Sequence, residues 1–258
     1  MFGKSTRGDD YQDLARPVGA MAKDFVSGFH LLPHSHERAQ LLHAVKGVMA
    51  VKTPDGAWAV PPRGAVWIPP GTVHEIRMWG EVAMRTLYLD GKTVADMPSR
   101  CRVVSISALL RELILQAVEL PMLYDESGRA GRIMGLILDE IRTLPILPLD
   151  LPLPRDPRLL RICETLQREP ALDRTLDGWG EEVGASARTL ARLFQSETGF
   201  TFGRWRQQAR LLEALGRLAL GQPVTTVALD LGYDSPSAFT SMFRRALGIT
   251  PSRYVANA

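Results

Sequence analysis

Two segments near the C-terminus resemble each other closely enough to mark a repeated structural unit. Residues 184–202 read GASARTLARLFQSETGFTF, and residues 232–251 read GYDSPSAFTSMFRRALGITP. In each segment a glycine precedes an apolar triplet at helical spacing. Each segment then has phenylalanine, four residues, glycine, an apolar residue and threonine. The repeat predicts two copies of one helical unit in this part of the chain.

Each copy is predicted to be a helix-turn-helix. The first copy has a short helix over 179–183, a glycine turn and a cap at Ser186. The second also has a glycine turn, with a cap at Ser235 and a proline at the first helical position, where its missing N–H costs nothing. A longer helix over 202–220 would hold the two units about one DNA turn, roughly 34 Å, apart. This arrangement predicts contact with two successive major grooves.

The apolar triplets decide which side chains of the second helices stay free, because the triplets must face the core. The side chains opposite them are candidates for contact with DNA, together with the two capping serines. An arginine can donate two hydrogen bonds to guanine, whereas serine and threonine let a helix approach closely. The predicted DNA-binding residues are Ser186, Arg188, Ala191, Arg192, Gln195, Ser235, Ser237, Thr240, Ser241 and Arg244.

The charge distribution points the same way. The chain has a net charge of +3, and residues 1–154 hold 17 basic and 17 acidic side chains. Residues 155–258 hold 14 basic and 11 acidic ones, and all 14 basic residues are arginines. The planar guanidinium suits phosphate oxygens and the edge of guanine. An arginine-rich solvated surface remains the alternative on composition alone.

A proline-rich stretch, LPILPLDLPLPRDP at 144–157, divides the chain. Proline lacks a backbone donor, so neither a helix nor a central strand is expected there, and we predict an extended linker. Upstream, short apolar runs over 24–90 alternate with the turn sequences TPDG, PPRG and PPG, which predicts a β-barrel or sandwich. The polar N-terminus lacks the apolar core of a signal peptide and is predicted to be a loose arm.

Two helices are predicted between the strands and the linker, at 107–120 and 130–144. Each carries an apolar stripe that could cover the barrel or pair two chains. The stripes consist of Leu109, Leu110, Leu113, Ile114 and Ala117 in the first helix, and of Ile133, Leu136, Ile137 and Ile141 in the second.

The segment over about 158–254 resembles the DNA-binding domain of the AraC/XylS family of bacterial transcription regulators. The resemblance rests on ASARTLARLFQSETGFTFGRWRQQARL and VALDLGYDSPSAFTSMFRRALGITPSRY. It implies base contacts from Arg188, Ala191 and Arg192 and from their counterparts in the second copy. Ala191 can touch a thymine methyl but cannot hydrogen-bond. The resemblance also implies promoter DNA as a partner, a homodimer, and RNA polymerase as a partner of an activator.

Residues 20–90 resemble a cupin barrel. Gly28, His34, His36, Gln40 and Gly47 fit the first cupin motif, with glutamine where glutamate is usual. GAVWIPPGTVH resembles a shortened second motif, which ends at His74 and has Met78 in place of the usual asparagine. The resemblance implies an effector pocket lined by His34, His36, Gln40 and His74. His30 and His43 are expected to be structural or to lie at the pocket edge.

The occupant of this pocket stays open at this stage. Three imidazoles and an amide suit a divalent transition metal, with His34, His36, Gln40 and His74 as ligands, and they equally suit hydrogen bonding to a small organic effector. A dioxygenase-like cupin metalloenzyme with a DNA-tethering domain is the alternative function, and a nucleoid architectural protein is a third. A double helix-turn-helix is useful to a sensor and not to a metabolic enzyme, so no catalytic residue is predicted.

We therefore expect an α+β protein, a sequence-specific transcription regulator whose cupin-like domain senses a small effector. Its predicted parts are a barrel with an N-terminal arm (1–104), a helical pair for dimerisation (105–143), a linker (144–157) and two helix-turn-helix units (158–258). No run approaches 18 apolar residues, so no transmembrane helix and no membrane partner are expected. Cys101 and Cys163 lie far apart without partner spacing, which indicates reduced thiols in a cytoplasmic protein.

Overall fold

The computed structural model describes residues 5–62 and 64–256, and the chain divides into two compact units. The first unit comprises the chain up to Thr53 together with Trp58–Pro148, and the second comprises Pro54–Ala57 with Leu149–Ala258. An antiparallel sheet with two helices in the first unit and a helical second unit confirm the predicted α+β class.

Antiparallel strands form most of the first unit. In chain order the strands are β1 (Val18–Phe25), β2 (His30–His34), β3 (Ala39–Thr53), β4 (Gly56–Val60), β5 (Gly64–Ile68), β6 (His74–Leu89), β7 (Arg102–Ser105), β8 (Ile146–Leu147) and β9 (Asp150–Pro152). Of these, β9 belongs to the second unit, and the first two residues of β4 are assigned to that unit as well. The strand order is β1, β6, β3, β5, β7, β8, and these neighbours pair antiparallel. β2 pairs with the start of β6, which matters for the site described below.

The two longest strands, β3 and β6, bend at a glycine. The register between them shifts on both sides of Lys46, next to Gly47 with φ 78°. A Cβ on Gly47 would lie 2.3 Å from the backbone oxygen of Glu81. Only glycine fits this close approach at positive φ, so the bulge is specific to this residue.

The N-terminal segment is not loose, and this corrects the prediction for residues 5–17. A short 3₁₀ helix at Gly8–Tyr11 buries Tyr11, whose ring stacks on Tyr88 with centroids 5.3 Å apart. The Arg38 guanidinium donates to three backbone carbonyls of the segment. The prediction failed because it used only the polarity of the side chains. The segment is held through its backbone carbonyls, which bind Arg38 and which side-chain polarity does not reveal. Residues 1–4 of the predicted arm lie outside the described residues.

Helices α1 (Ala108–Ala117) and α2 (Arg129–Arg142) pack on the sheet. Leu110, Ile114 and Ile137 share one buried core with Trp67 and Leu87, so the apolar stripes do cover the sheet. Two members of the predicted stripes are corrected, because Leu109 is 51% exposed and Leu136 is 49% exposed. Both lie next to the buried row of their helix and face away from the sheet.

The predicted linker contains extended chain and two very short strands, β8 and β9, and no central strand. β8, just two residues long, pairs with β7 through Val103 and Val104. Pro145 and Pro148 flank β8, and a strand this short at the edge of a sheet needs no donor from either proline. Leu149 and Leu151 are buried in the second unit.

The helices of the second unit follow the predicted pattern closely. They are α3 (Pro157–Arg168), α4 (Leu176–Val183), α5 (Ala187–Thr198), α6 (Phe202–Ala219), α7 (Val224–Asp230), α8 (Pro236–Leu247) and α9 (Pro251–Ala256). α4 begins before the predicted position because the Thr175 hydroxyl caps it. α6 corresponds to the predicted connecting helix, and the Thr201 hydroxyl caps its start.

Candidate functional site

Three histidines meet where two strands of the first unit end. β2 ends at His34 and β6 begins at His74, and these two residues are direct cross-strand partners. His36 follows in the loop after β2. One nitrogen from each ring lies within 4.8 Å of the others, so His34, His36 and His74 form one cluster, which we call the histidine cluster.

Backbone carbonyls hold two of these rings in a defined tautomer. His34 Nδ1 lies 2.7 Å from the oxygen of Leu32, and His74 Nδ1 lies 2.9 Å from that of Thr72. A carbonyl only accepts, so each Nδ1–H donates, and in the neutral form of such a ring the lone pair lies on Nε2. A histidine that binds a metal is typically fixed by such a bond from its other nitrogen.

Burial keeps His36 and His74 neutral. Burial, followed by the neighbouring His34 and His74, lowers the pKa of His36 to about 4. Burial likewise lowers the pKa of His74 to about 4, against the opposing hydrogen bond to Thr72. Both rings are therefore uncharged near neutral pH, and each has a lone pair that can bind a hydrogen-bond donor or a metal ion. His74 Nε2 and His36 Nδ1 are buried and have no hydrogen-bond partner within the described part of the chain.

Gln40 extends the set of unsatisfied acceptors. It lies directly across from Tyr88 on the paired strands, and its Nε2 donates to the Tyr88 hydroxyl at 3.5 Å. Its Oε1 is buried without a partner among the described residues. The Tyr88 ring meets the His36 ring edge-on at 5.1 Å, which places Gln40 one side chain away from the cluster.

The N-terminal segment closes one side of this site. A Cβ on Gly8 would lie 2.7 Å from the Tyr88 hydroxyl and 3.0 Å from His36 Cε1. Tyr11 stacks on Tyr88 from the same segment. Sequence reasoning missed Gly8, Tyr11 and Tyr88, because only the register of β3 against β6 and the fold of the segment bring them here.

The other two histidines lie outside the cluster. His30 Nε2 is 3.0 Å from a carboxylate oxygen of Glu75. His43 is fully buried, its Nδ1 is 2.8 Å from the oxygen of Gly64, and burial lowers its pKa. Both rings therefore have local partners of their own.

The two second helices of the helix-turn-helix units expose the predicted faces. Leu190, Phe194, Phe239 and Phe243 are fully buried, which turns the opposite sides of α5 and α8 outward. Exposed on these sides are Arg188, Ala191, Arg192 and Gln195 in α5, and Ser237, Ser241 and Arg244 in α8, with Thr240 partly buried.

Both capping serines use their oxygens locally. Ser186 Oγ accepts from the backbone N–H of Thr189, and Ser235 Oγ accepts from that of Ala238, each at 3.2 Å. A hydroxyl that accepts in a cap still has its own proton to donate, to a phosphate oxygen or, for Ser186, to Thr189 Oγ1 at 2.9 Å, where either oxygen could be the donor. Their predicted contact with DNA stays a prediction.

Ion pairing separates the arginines of the second unit into two groups. Arg161 and Arg174 pair with Glu182, and Arg206 and Arg217 also pair with carboxylates. In contrast, four arginines on α5 and α8, which we call the recognition helices, form no ion pair with any residue that the structure describes. These are Arg188 and Arg192 of α5 and Arg244 and Arg245 of α8. Arg168 and Arg204, elsewhere in this unit, are exposed and form no ion pair with a described residue either, so α5 and α8 carry four, but not all, of the unpaired arginines of the unit.

Arg210 stabilises the second helix-turn-helix, a role that sequence reasoning missed. It is buried, its Nε donates to the oxygen of Pro170 at 2.7 Å, and a terminal nitrogen donates to that of Gly232 at 3.4 Å. Its guanidinium also lies over the Tyr233 ring at 5.5 Å. Arg210 therefore fixes the turn of the second helix-turn-helix, and no local sequence signal distinguishes it from a surface arginine.

Comparison with known proteins assigns both units. A family model described as an AraC-like ligand binding domain matches residues 27–137, and one described as a helix-turn-helix domain matches residues 179–257. The HTH-type transcriptional regulator NimR of Escherichia coli (strain K12) is 36% identical over 223 residues, covering 86% of this chain and 81% of NimR.

Two further proteins show the range of similarity. The regulatory protein SoxS of Salmonella typhimurium is 38% identical over 80 residues, which are 31% of this chain and 75% of SoxS. The structure of ToxT from Vibrio cholerae covers 94% of this chain and 99% of its own, with 9% identity and a TM-score of 0.40. None of the described helices has the length and apolar character needed to cross a membrane.

Proposed function

The chain belongs to the AraC family of transcription regulators, with an N-terminal ligand-binding domain and a helix-turn-helix DNA-binding domain, and we propose that its effector binds at His34, His36, Gln40 and His74. The observation that carries this proposal is a set of buried polar atoms without a partner among the described residues, formed by His74 Nε2, Gln40 Oε1 and His36 Nδ1, the last of which can accept in one of the two neutral tautomers. Unsatisfied buried polar atoms are costly, so a ligand that satisfies them stabilises the occupied state.

The effector that fits this chemistry is a divalent transition metal ion. The unsatisfied atoms are lone pairs on neutral groups, and one cation can accept electron density from several of them at once. An anionic effector finds no counter-charge from Arg38, whose guanidinium is engaged with backbone carbonyls. Because Gln40 is neutral, the site carries less negative charge than one with glutamate and would release its ion more readily.

Metal content is the direct test. Protein purified without chelators or an affinity tag is expected to contain about one equivalent of a transition metal per chain by elemental mass spectrometry. His34→Ala should lose it, whereas His30→Ala should keep it, because His30 pairs with Glu75 outside the cluster. Titration of metal-free protein with Co²⁺, followed by visible absorption, gives a second readout. A folded protein that retains no transition metal on purification and binds no added Co²⁺ would overturn the metal proposal and leave an organic effector.

A homodimer through α1 and α2 completes the proposal. The bonds from Ser107 to Glu140 and from Arg129 to Gln116 set the two helices antiparallel, which brings exposed Leu109 and Leu136 to the same part of the helical pair. A second copy of this surface would bury both leucines symmetrically. Two linked DNA-binding domains would then raise affinity through effective concentration.

In this mechanism the effector changes how the second unit engages promoter DNA. The unpaired arginines and hydroxyl side chains of α5 and α8 supply the contacts, and RNA polymerase is a further partner wherever the regulator activates. His34→Ala is expected to retain DNA binding and to lose the response to metal in a gel-shift titration. Loss of DNA binding in a folded His34→Ala protein would mean that the cluster is not a separate sensing site.

A further inference from the structure

The two recognition helices correspond position by position. α5 and α8 both have 12 residues, each is capped by a serine whose Oγ accepts from the third residue after it, and each ends at a glycine with φ 73°. Counting from the caps, Arg188 and Arg192 of α5 occupy the places of Ser237 and Ser241 in α8. The scaffold is thus repeated while the groups that face DNA are exchanged.

The face of α5 carries reach and charge. Arg188 and Arg192 are exposed and free of ion pairs with any described residue. They lie four residues apart, which is about 6 Å along the helix and close to two base-pair steps. Each guanidinium can donate two hydrogen bonds to the O6 and N7 atoms of guanine, a contact that no other base offers in the major groove.

The face of α8 carries short hydroxyl groups instead. A hydroxyl both donates and accepts, so Ser237, Thr240 and Ser241 can bond to either partner of a base pair. Arg244 stands in the last turn of α8, away from the N-terminal residues that reach base edges in such motifs. It is placed for phosphate, which positions a helix without reading sequence.

We propose that this chain reads its operator unequally: α5 recognises a box with two guanines about two base pairs apart, and α8 holds a second box with little base preference. This rests on the proposed function only in taking the exposed faces of α5 and α8 as the DNA-contacting ones. Arg188 and Arg192 are then the specificity-determining residues of the chain.

The test is selection of binding sites by the full-length protein from random double-stranded DNA, followed by affinity measurement with each guanine replaced. Each replacement in the α5 box should weaken binding roughly 5- to 150-fold. The variant Arg188→Ser/Arg192→Ser should erase the guanine preference and keep the rest of the site. Ser237→Arg/Ser241→Arg should create a guanine preference in the other box. Arg161→Ser is the matched control. Because Arg161 pairs with Glu182, this variant should leave the selected sequence unchanged.

The outcomes are distinguishable. Two boxes with equal base preference, or a guanine box that survives the double serine variant, would overturn the unequal reading while leaving DNA binding by both helices intact. Selection of no preferred sequence would overturn the assignment of the two faces as well. A thermal melt of each variant against the parent establishes that the exchanged side chains, all on the solvent side, have not altered folding.

Discussion

Replacement of Arg38 by methionine tests what holds the N-terminal segment over the histidine cluster. The side chain is 9% exposed and donates to the backbone oxygens of Gln12, Leu14 and Arg16. Hydrogen bonds to charged groups contribute about 1.5–3 kcal/mol each, but the freed carbonyls regain water when the segment opens, so we take about 1 kcal/mol net for each. Methionine keeps much of the apolar stem. Opening of the segment should become easier by about 3 kcal/mol.

Hydrogen exchange of individual amides measures this opening. The backbone N–H groups of Gln12 and Arg16 bond within the segment, and in Arg38→Met they should exchange about 100-fold faster, since each tenfold is about 1.4 kcal/mol. Arg85→Met is the control, because Arg85 pairs with the exposed Asp24 and should contribute about 0–1 kcal/mol. Equal exchange rates of these amides in Arg38→Met and in the parent protein would refute the reasoning. The stacking of Tyr11 on Tyr88 would then be the contact that holds the segment.

Three further predictions concern the rest of the chain. Burial lowers the pKa of His43, so between that lowered value and about 6.5 the unfolded chain binds more protons than the folded one, and stability is lost as the pH falls. The free energy of urea unfolding of His43→Gln should therefore depend less on pH over this range. An unchanged pH dependence would assign the effect to other groups. The fragment 149–258, which keeps the buried Leu149 and Leu151, should sediment as a monomer and the full chain as a dimer, a difference that Leu109→Asp should abolish; a dimeric fragment would place the interface elsewhere. Ser235→Ala removes a helix cap and should destabilise the second unit by about 1 kcal/mol in thermal unfolding, whereas an unchanged midpoint would mean that water replaces the serine.

The helix-turn-helix units were predictable from the sequence because their signals are local. A capping serine, an apolar triplet at helical spacing and a closing glycine all fall within one short segment. The structure has α5 and α8 where these signals stand. Arg210 could not be predicted in the same way, because its partners Pro170 and Gly232 lie far away along the chain.

The histidine cluster was predictable only in part. The motif indicated His34, His36 and His74, and the structure brings all three together. The surrounding groups depend on long-range register, as Tyr88 reaches Gln40 only through the pairing of β3 with β6. Helical periodicity likewise identified apolar stripes but not their edges, so exposed Leu109 was placed with buried Leu110.

Composition alone understates how strongly this chain is directed toward DNA. Fourteen arginines against 11 acidic residues in the C-terminal part give only a small excess of positive charge. The structure shows that acidic neighbours pair with many of these arginines away from α5 and α8, and that Arg161 and Arg174 share the one carboxylate of Glu182. Since a paired arginine contributes little field at a distance, the charge available to attract phosphate comes mainly from unpaired side chains, and four of these, Arg188, Arg192, Arg244 and Arg245, lie on α5 and α8. The positions of the paired arginines, rather than the number of arginines, therefore support the proposal that α5 and α8 form the face that meets the nucleic acid.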